Sequence, residues 1–241
     1  MNWRAPAVFG PHGEDERILR FLGPAPGIFV DVGANHPIEG SQTYLLEKNG
    51  WTGLLIEPLE EMARELRRHR TSPVEQVACG APANAGTEMR LLVAGVHSTL
   101  KERVFEPSAV ATGSRLVPVR TLDELLDKHA IRSVDFLSID VEGAEIDVLS
   151  GFSLETFTPR LVLLEDHVTH LSKHRHMSQR GYRLARRTGL NSWYVPRGAP
   201  VPVSLFGRYQ LVRKYYLGTP VRWARYELKR LRPAQPDRNA R

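Results

Sequence analysis

Hydrophobic residues in this chain are grouped into short runs rich in valine, leucine and isoleucine. Polar positions are rare within these runs, a pattern typical of strands that are buried on both faces of a parallel sheet. The runs interpreted as strands are Ile28 to Ala34, Gly53 to Pro58, Val74 to Cys79, Val134 to Asp140 and Arg160 to Asp166. Together they predict a sheet that helices cover on both sides.

The segments between these runs have the spacing of amphipathic helices. The segment from Leu59 to His69 places its apolar residues on one face, and Thr121 with Glu124 has the spacing of a capping box. Strands that alternate with helices predict parallel βαβ units and an α/β, doubly wound fold. The remaining predicted strands are Glu88 to Gly95 and Leu116 to Arg120 beside the sheet, and an antiparallel hairpin after Gly181.

The composition of the 241 residues, 41% hydrophobic and 25% charged, is that of a globular protein and argues against a chain that is disordered throughout. The single cysteine, Cys79, excludes an internal disulfide and a cysteine-based zinc cluster. No apolar run approaches the roughly 20 residues of a membrane-spanning helix. The first residues lack the apolar core of a signal peptide, so we expect a cytoplasmic protein.

Basic residues are concentrated at the end of the chain. Residues 205–241 contain ten Lys or Arg and two Asp or Glu, whereas the rest contains 23 basic and 25 acidic residues. The basic balance therefore belongs to the tail and not to the body. We predict a domain of residues 1–204, followed by a basic amphipathic helical extension of residues 205–241 with a disordered end.

Acidic residues follow four of the five predicted core strands. The strand ends are Asp31, Glu57, Cys79, Asp140 and the segment from Glu165 to His167. Ligands of open α/β sheets bind beyond the carboxyl ends of the strands, so this edge is the candidate site. The alternative is that these carboxylates only cap the helices that follow.

The first two strand ends predict an adenosine-containing cofactor. Gly33 permits a tight turn close to a ligand, and Asn35 tolerates a left-handed conformation. Glu57 follows about 20 residues later, where an acidic side chain can bind both ribose hydroxyls. Pro37 has no N–H for a diphosphate, and the chain has no G-x-G-x-x-G motif. S-adenosylmethionine, which carries no phosphate, fits better than a dinucleotide.

Three segments resemble the FkbM family of S-adenosylmethionine-dependent methyltransferases. They read FVDVGANHPIEGSQTYLLEKNGWTGLLIEP, VRTLDELLDKHAIRSVDFLSIDVEGAEIDVLSGF and PRLVLLEDH, and the similarity extends roughly from Gly10 to Arg197. The resemblance implies a Rossmann-like class I methyltransferase fold with a mostly parallel, seven-stranded sheet. It also implies methyl transfer to a hydroxyl oxygen, with acceptors that are mostly sugars, glycans and natural products.

The resemblance also assigns roles to individual positions. The family's fourth-strand motif falls on Asp140, Glu142 and Gly143, and Glu145 is its carboxylate at the helix start. Many members have glycine where Pro37 stands, with a hydroxyl residue three places later instead of four. The residues expected to bind the cofactor are Asp31, Gly33, Ala34, Asn35, Ser41, Glu57 and Asp140.

A hydroxyl acceptor needs its proton removed or its alkoxide stabilised. Imidazole titrates near neutral pH and His167 directly follows a strand end, so we expect His167 to be the base. Asp140 and Glu142 are the other expected catalytic residues, and His36 and His97 are further candidates. The alternative for His167 is a structural hydrogen bond.

Asp140, Glu165 and Asp166 suggest a Mg²⁺ site. Carboxylates from two adjacent strand ends, completed by waters, suit this ion, which would lower the pKa of the acceptor. The alternative is that Glu165 and Asp166 cap a helix or pair with a basic neighbour. His170 and His174 are predicted on one helix face, as a basic face over the acceptor cleft and not as metal ligands.

Residues 213–232 form the basic amphipathic part of the extension. A basic segment with neighbouring tyrosines can lie on an anionic membrane surface, which would suit a lipid-linked glycan acceptor at the inner face of the membrane. The alternative is docking against the domain or a second subunit in a homodimer. The predicted stripes are Val221, Ala224, Leu228 and Leu231 (apolar) and Arg222, Arg225, Lys229 and Arg232 (basic).

Other functions compete with a small-molecule or glycan O-methyltransferase. RNA methyltransferases that modify base amino groups often carry an Asn/Asp-Pro-Pro-aromatic run, where this chain has Asp-Val-Glu-Gly from Asp140 to Gly143. The missing phosphate-binding glycines argue against a nicotinamide-dependent reductase. A non-catalytic nucleotide-binding or interaction module with a membrane-facing tail is the third alternative. We expect no nucleic-acid partner, because no recognisable binding module is present.

Overall fold

The computed structural model describes residues 9–10, 13–95, 97–101, 110–201, 203 and 205–230. The strands are β1 (Ile28–Val32), β2 (Thr52–Ile56), β3 (Val74–Glu75), β4 (Ala78–Cys79), β5 (Glu88–Val93), β6 (Gly113–Arg120), β7 (Phe136–Ile139), β8 (Leu161–Glu165), β9 (Tyr182–Thr188) and β10 (Asn191–Pro196). The helices are α1 (Glu14–Leu22), α2 (Tyr44–Lys48), α3 (Glu60–His69), α4 (Leu122–Lys128), α5 (Glu145–Ser150), α6 (Leu154–Phe157), α7 (Ser172–Gln179), α8 (Leu205–Val212) and α9 (Thr219–Arg230). A 3₁₀ turn spans Pro82–Asn84, and a π-helical segment, Arg213–Leu217, joins α8 to α9.

Seven of the described strands form the larger sheet, in the order β3-β2-β1-β7-β8-β10-β9. The first five strands of that order are parallel, and β10 lies antiparallel between β8 and β9. The mostly parallel seven-stranded sheet confirms the Rossmann-like fold that the resemblance implies. The strand order reverses direction at the neighbouring strands β1 and β7. Ligands of such sheets bind at this switch point.

Helices cover both faces of this sheet because side chains alternate along each strand. Val30 and Val32 pack on one face in a core cluster with Leu126 of α4. Phe29 packs on the other face in a cluster with Leu66 of α3. Full burial of each such side chain contributes about 1.5–3 kcal/mol. The same alternation determines which face carries each polar side chain at the strand ends.

The predicted third strand, Val74 to Cys79, is two short strands that belong to different sheets. β3 pairs with β2 in the larger sheet, whereas β4 pairs with β6 in a three-stranded sheet of order β4-β6-β5. The two extra predicted strands supply the rest of this smaller sheet, with β5 antiparallel to β6. β3 contains Val74 and Glu75 and β4 contains Ala78 and Cys79, so one continuous predicted run is divided between two sheets.

The sequence predicted the start of helix α4 correctly but not the start of helix α7. The capping box before α4 is confirmed: the Glu124 backbone N–H donates to Thr121 Oγ1 at 3.2 Å, and the Thr121 N–H donates to a Glu124 carboxylate oxygen at 2.9 Å. Helix α7 begins at Ser172, so His170 precedes it. The prediction that His170 and His174 share a helix face is therefore wrong.

The segment that joins α8 and α9 is anchored in the core. Tyr215 is 1% exposed and packs in the same cluster as Met177 of α7. Leu231 and Arg232 of the predicted stripes, and the predicted disordered end, lie outside the described residues. None of the described helices is both long and apolar enough to cross a membrane.

Candidate active site

A cavity of about 490 Å³ opens at the carboxyl edge of the larger sheet. This volume lies within the range of about 300–1,000 Å³ that is typical of small-molecule sites. Loops after β1, β2 and β7 form one side, and the smaller sheet and the β9–β10 turn form the other. Val32 pairs with Ile56 and Ile139, so these parallel strands end level with one another and their next residues meet.

The turn after β1 is the tightest part of the cavity wall. Gly33 has a φ of +84°, and a Cβ at this position would overlap the backbone carbonyl of Asp140. The N–H groups of Gly33 and Ala34 both donate to the Ile56 carbonyl, at 2.9 and 3.1 Å. Asn35 follows in the left-handed region, with a φ of +48°. All of these residues except Ile56 were predicted for the site, and all border the cavity.

The Glu57 carboxylate holds the β1 and β2 loops together. One oxygen accepts from the Asn35 N–H and the other from the Leu59 N–H, each at 2.9 Å. Burial raises the pKa of Glu57 to about 7, and the nearby charges of Asp31 and Glu61 contribute to the rise. Each oxygen still has a lone pair for a ligand hydroxyl.

Asp31 and Ser41, which were predicted to bind the cofactor, do not border the cavity. The side chain of Asp31 points to the other side of the turn, where it accepts from the Thr43 hydroxyl at 2.6 Å. Arg70 contacts the same group, at 3.1 Å from Thr43 Oγ1 and 3.4 Å from Ser41 Oγ. Burial raises the pKa of Asp31 although Thr43 and Arg70 oppose the rise. This buried network supports the turn from behind.

Arg70 is a functional neighbour that sequence reasoning missed. Its Nε atom lies 3.2 Å from Glu47, and both side chains are almost fully buried. Arg70 follows a run of basic residues on α3, and nothing in the sequence distinguishes this buried arginine from its exposed neighbours.

Asp140 and Glu165 form a hydrogen-bonded pair of carboxyl groups at the switch point. Burial, together with the charges of Glu165, Glu142 and Glu145, raises the pKa of Asp140. Burial opposes ionisation of Glu165 too, but His167 and Lys173 outweigh it and lower the pKa. When the pair carries one proton, these opposite shifts place it on Asp140, which then donates to Glu165.

Lys173 is the cation that the sequence analysis did not identify. Its Nζ atom lies 2.7 Å from Glu145 and donates to the Glu165 backbone carbonyl at 2.6 Å. Glu145 is fully buried and also accepts from the Gly143 N–H at 2.9 Å. Lys173 lies among several basic residues of α7, and only the packing of α7 against α5 distinguishes it.

Glu142 borders the cavity, and one of its carboxylate oxygens is buried and has no hydrogen-bond partner among the described residues. The side chain is 7% exposed, and His97 Nδ1 lies 2.7 Å from its other oxygen. Its backbone is in the left-handed region, with a φ of +50°. Burial and the charge of Glu165 raise the pKa of Glu142, although His97 opposes the rise.

His167, the residue expected to be the base, lies behind this wall. Its Nε2 atom is 3.1 Å from Glu165, and its side chain does not border the cavity. Burial alone would lower the pKa of His167, but the carboxylates of Glu165 and Glu142 raise it. His97 and His36, the other histidine candidates, do border the cavity.

The predicted Mg²⁺ ligands are not brought together as a set. Asp166 lies on the opposite face of the sheet from Glu165, where it accepts from the Tyr215 hydroxyl at 2.7 Å and from the Val168 N–H at 2.8 Å. The Glu165 carboxylate lies beside His167, in agreement with the alternative of a basic neighbour, and Lys173 donates to the Glu165 backbone carbonyl. Within the described part of the chain, one ligand atom each from Glu142, Glu165 and His167 lie within 4.8 Å of one another.

The far wall of the cavity contains polar residues that were not predicted. Glu14, at the start of α1, is buried and accepts from Asn191 at 2.5 Å and from Thr188. Burial raises the pKa of Glu14 although these hydrogen bonds oppose the rise. The only sequence signal was that Glu14 lies within the stretch, roughly from Gly10 to Arg197, that resembles the FkbM family.

Comparisons with known proteins show which family and which solved structure the chain resembles. Residues 31–184 match the family described as "Methyltransferase FkbM domain", which is more than half of the chain. Among solved structures, the chain is similar to a methyltransferase FkbM from Methylobacillus flagellatus KT, at 18% identity and a TM-score of 0.46. The similarity covers 70% of this chain and 43% of that protein, so this chain spans less than half of its length. No curated protein matches.

Proposed function

Because this chain belongs to the FkbM methyltransferase family, we propose that it transfers a methyl group from S-adenosylmethionine to a hydroxyl oxygen of a sugar, a glycan or a natural product. The observation that carries the proposal is the position of Glu142 beside the Gly33–Glu57 loops. One cavity therefore combines a wall suited to adenosine with a buried carboxylate suited to a hydroxyl.

The residues around Gly33 fit S-adenosylmethionine. Gly33 and Ala34 border the cavity and carry little or no side chain, so a ligand can approach the backbone of this turn closely. Glu57 is held by two backbone N–H groups, with a lone pair of each oxygen left for the ribose hydroxyls. When bound, the cofactor supplies an electrophilic methyl group on a sulfonium. Gly33, Ala34, Asn35 and Glu57 would hold it, with Asp31 and Ser41 supporting the turn.

Glu142 is the group that we assign to the acceptor hydroxyl. Its unpartnered oxygen is buried, and an acceptor O–H would satisfy it. Burial and the charge of Glu165 raise the pKa of Glu142, which makes its carboxylate a stronger base than an exposed one. The hydroxyl proton passes to this oxygen while His97, on the other oxygen, holds the carboxylate in place.

His167 and Lys173 are positioning residues in this proposal. Both contact Glu165, whose side chain accepts the hydrogen bond of Asp140. Asp140 and Glu165 both border the cavity, and their remaining oxygen lone pairs can accept hydrogen bonds from the acceptor or from the ammonium group of the cofactor.

The walls favour a small polar acceptor over RNA. Glu14, Asp140, Glu142 and Glu165 all border the cavity. Carboxylates at this density repel the phosphates of a nucleic acid, which binds mainly to basic surfaces. The acidic walls are suited instead to the hydroxyl groups of a sugar or a related natural product.

Calorimetric titration with S-adenosylmethionine tests the cofactor part of the proposal. Wild-type protein is expected to bind, and Glu57→Gln to bind about tenfold or more weakly, because hydrogen bonds to a charged group contribute about 1.5–3 kcal/mol. Glu60→Gln, at the exposed start of α3, is the matched control and is expected to bind normally. No binding by the wild type, or equal binding by Glu57→Gln, would contradict this part.

Labelled methyl donor with a panel of glycans and cell extracts tests the acceptor part. The product is expected to be a methyl ether, which withstands alkali, whereas a methyl ester is hydrolysed. Label recovered as an ester or on nitrogen would refute transfer to a hydroxyl while leaving cofactor binding intact.

A further inference from the structure

The surface of residues 205–230 is unusually apolar for an exterior. Among the described residues, eight of the eleven exposed large hydrophobic side chains lie in this segment. Single exposed apolar residues are common on proteins, but a concentration of them marks a surface that contacts something.

Three described apolar side chains of α8 lie on one exposed helix face. Leu205, Arg208, Tyr209 and Val212 have the spacing of one helix face, and all four are exposed. Leu205 is 83% exposed. An arginine therefore lies within an outward apolar stripe.

Helix α9 also exposes apolar residues on one face, whereas one of its basic residues faces the domain. Val221, Ala224, Arg225 and Leu228 have the same spacing and are exposed, with Leu228 at 63%. Arg222 is turned toward the domain instead, where its Nε donates to the Val168 carbonyl at 3.2 Å. A helix that packs on its own domain normally buries its apolar stripe. Here the stripe faces away.

The outward face is fixed to the domain by Tyr215, between the two helices. Its hydroxyl donates to Asp166 at 2.7 Å and lies 2.7 Å from Ser192 Oγ. Contacts within the chain therefore hold this face in place without a partner.

Charge identifies the kind of partner. Residues 205–230 contain seven Lys or Arg and one acidic residue, Glu227. Leu205, Val221 and Leu228 offer nothing to a nucleic acid, since aliphatic side chains neither stack on bases nor bind phosphates. Aliphatic and aromatic side chains mixed with basic ones match the boundary between anionic headgroups and acyl chains.

We propose that the outward face of α8 and α9 binds the surface of a membrane that contains anionic lipid. The segment that carries this face contacts the loop from Asp166 to Val168 through Tyr215 and Arg222, and that loop directly follows Glu165 of the cavity wall. A lipid-carried acceptor would thus be brought to the side of the site. Membrane binding itself does not depend on the proposed methyl transfer.

Vesicle co-sedimentation of the full chain tests the proposal. We expect sedimentation with vesicles of phosphatidylcholine and phosphatidylglycerol, weakened by salt, and none with phosphatidylcholine alone. Arg208→Gln/Arg225→Gln is expected to lower the affinity about 25-fold, since a basic residue at such a surface contributes about fivefold. Val221→Ser/Leu228→Ser is expected to lower it about tenfold or more. Truncation is avoided, because it would remove buried Tyr215.

Matched controls keep the test specific. Arg64→Gln/Arg132→Gln removes the same charge from exposed side chains elsewhere, and Leu116→Ser removes an exposed leucine of the smaller sheet. Both controls are expected to sediment like the wild type. The proposal is overturned if the wild type does not bind anionic vesicles. It is also overturned if the control variants lose as much binding as the α8 and α9 variants.

Sedimentation velocity and nucleic-acid competition identify other occupants. Without vesicles, a dimer that Val221→Ser/Leu228→Ser converts to monomer would show that a second copy covers the face, and would overturn the membrane proposal. Binding to nucleic acid but not to vesicles would overturn it as well.

Discussion

Gly33 lies directly against the backbone of Asp140 at the switch point of the sheet. The Asp140 N–H donates to the Val32 carbonyl at 3.0 Å, and a Cβ on Gly33 would lie 2.9 Å from the Asp140 carbonyl carbon and overlap its oxygen. The ends of β1 and β7 are therefore closer than a side chain at position 33 allows. This contact shapes the inner wall of the cavity.

Substitution Gly33→Ala is expected to destabilise the protein severely and to abolish cofactor binding, because the two strand ends must separate. Gly86→Ala is the matched control: its φ is +80°, but a Cβ there meets nothing within 4 Å. The control is expected to lose only the roughly 1–2 kcal/mol of an alanine held in the left-handed region. Thermal unfolding of both variants measures the difference, and equal losses would show that the contact with Asp140 does not matter.

The affinity for S-adenosylmethionine is expected to rise as pH increases through neutrality. The pKa of Glu57 is raised to about 7 by burial, so its carboxyl group is largely protonated at lower pH. Ribose hydroxyls donate to the ionised form, so cofactor binding favours ionisation and releases a proton. Affinity should fall roughly tenfold per pH unit well below the pKa of 7. Titrations across this range should show a flat profile for Glu57→Gln, and a flat wild-type profile would contradict the assignment.

The same pKa shift has a consequence for the stability of the protein without ligand. The pKa of Glu57 is higher in the folded chain than the ordinary value of 4.5, so the folded state retains the proton better. Its contribution to stability is fully present below pH about 4.5 and is lost as pH rises through about 7. Glu57→Gln should remove this part of the pH dependence in urea unfolding, and an unchanged dependence would rule it out.

Glu142→Gln is expected to lower kcat by about 10²–10⁴, the usual contribution of a general base, and to leave cofactor affinity unchanged. His167→Asn should lower kcat less, since His167 contacts Glu165 and does not border the cavity. Single-turnover assays of the two variants rank them. The reverse ranking would assign the base to His167, the residue expected from the sequence.

The sequence was sufficient for most of the larger sheet and for one wall of the site. Gly33, Asn35 and Glu57 could be grouped because the strand order brings the ends of β1 and β2 together, whatever the details of packing. The grouping of Glu165 with Asp166 failed because consecutive residues at a strand end face opposite sides of a pleated sheet. Lys173 and Arg70 could not be identified, since which of several neighbouring basic residues is buried depends on helix packing that local sequence does not encode.

Methyl transfer is expected to continue after treatment with a chelator. His167 contacts the Glu165 carboxylate, Lys173 is paired with Glu145, and burial raises the pKa of Asp140, so part of the charge that would attract a divalent cation is neutralised within the chain. Activity of chelator-treated enzyme, with and without added Mg²⁺ or Mn²⁺, is the measurement. Loss of activity that either ion restores would place a metal on Glu142, Glu165 and His167, whose ligand atoms lie within 4.8 Å of one another. Metal titration of Glu142→Gln would then show whether that carboxylate is a ligand or the base.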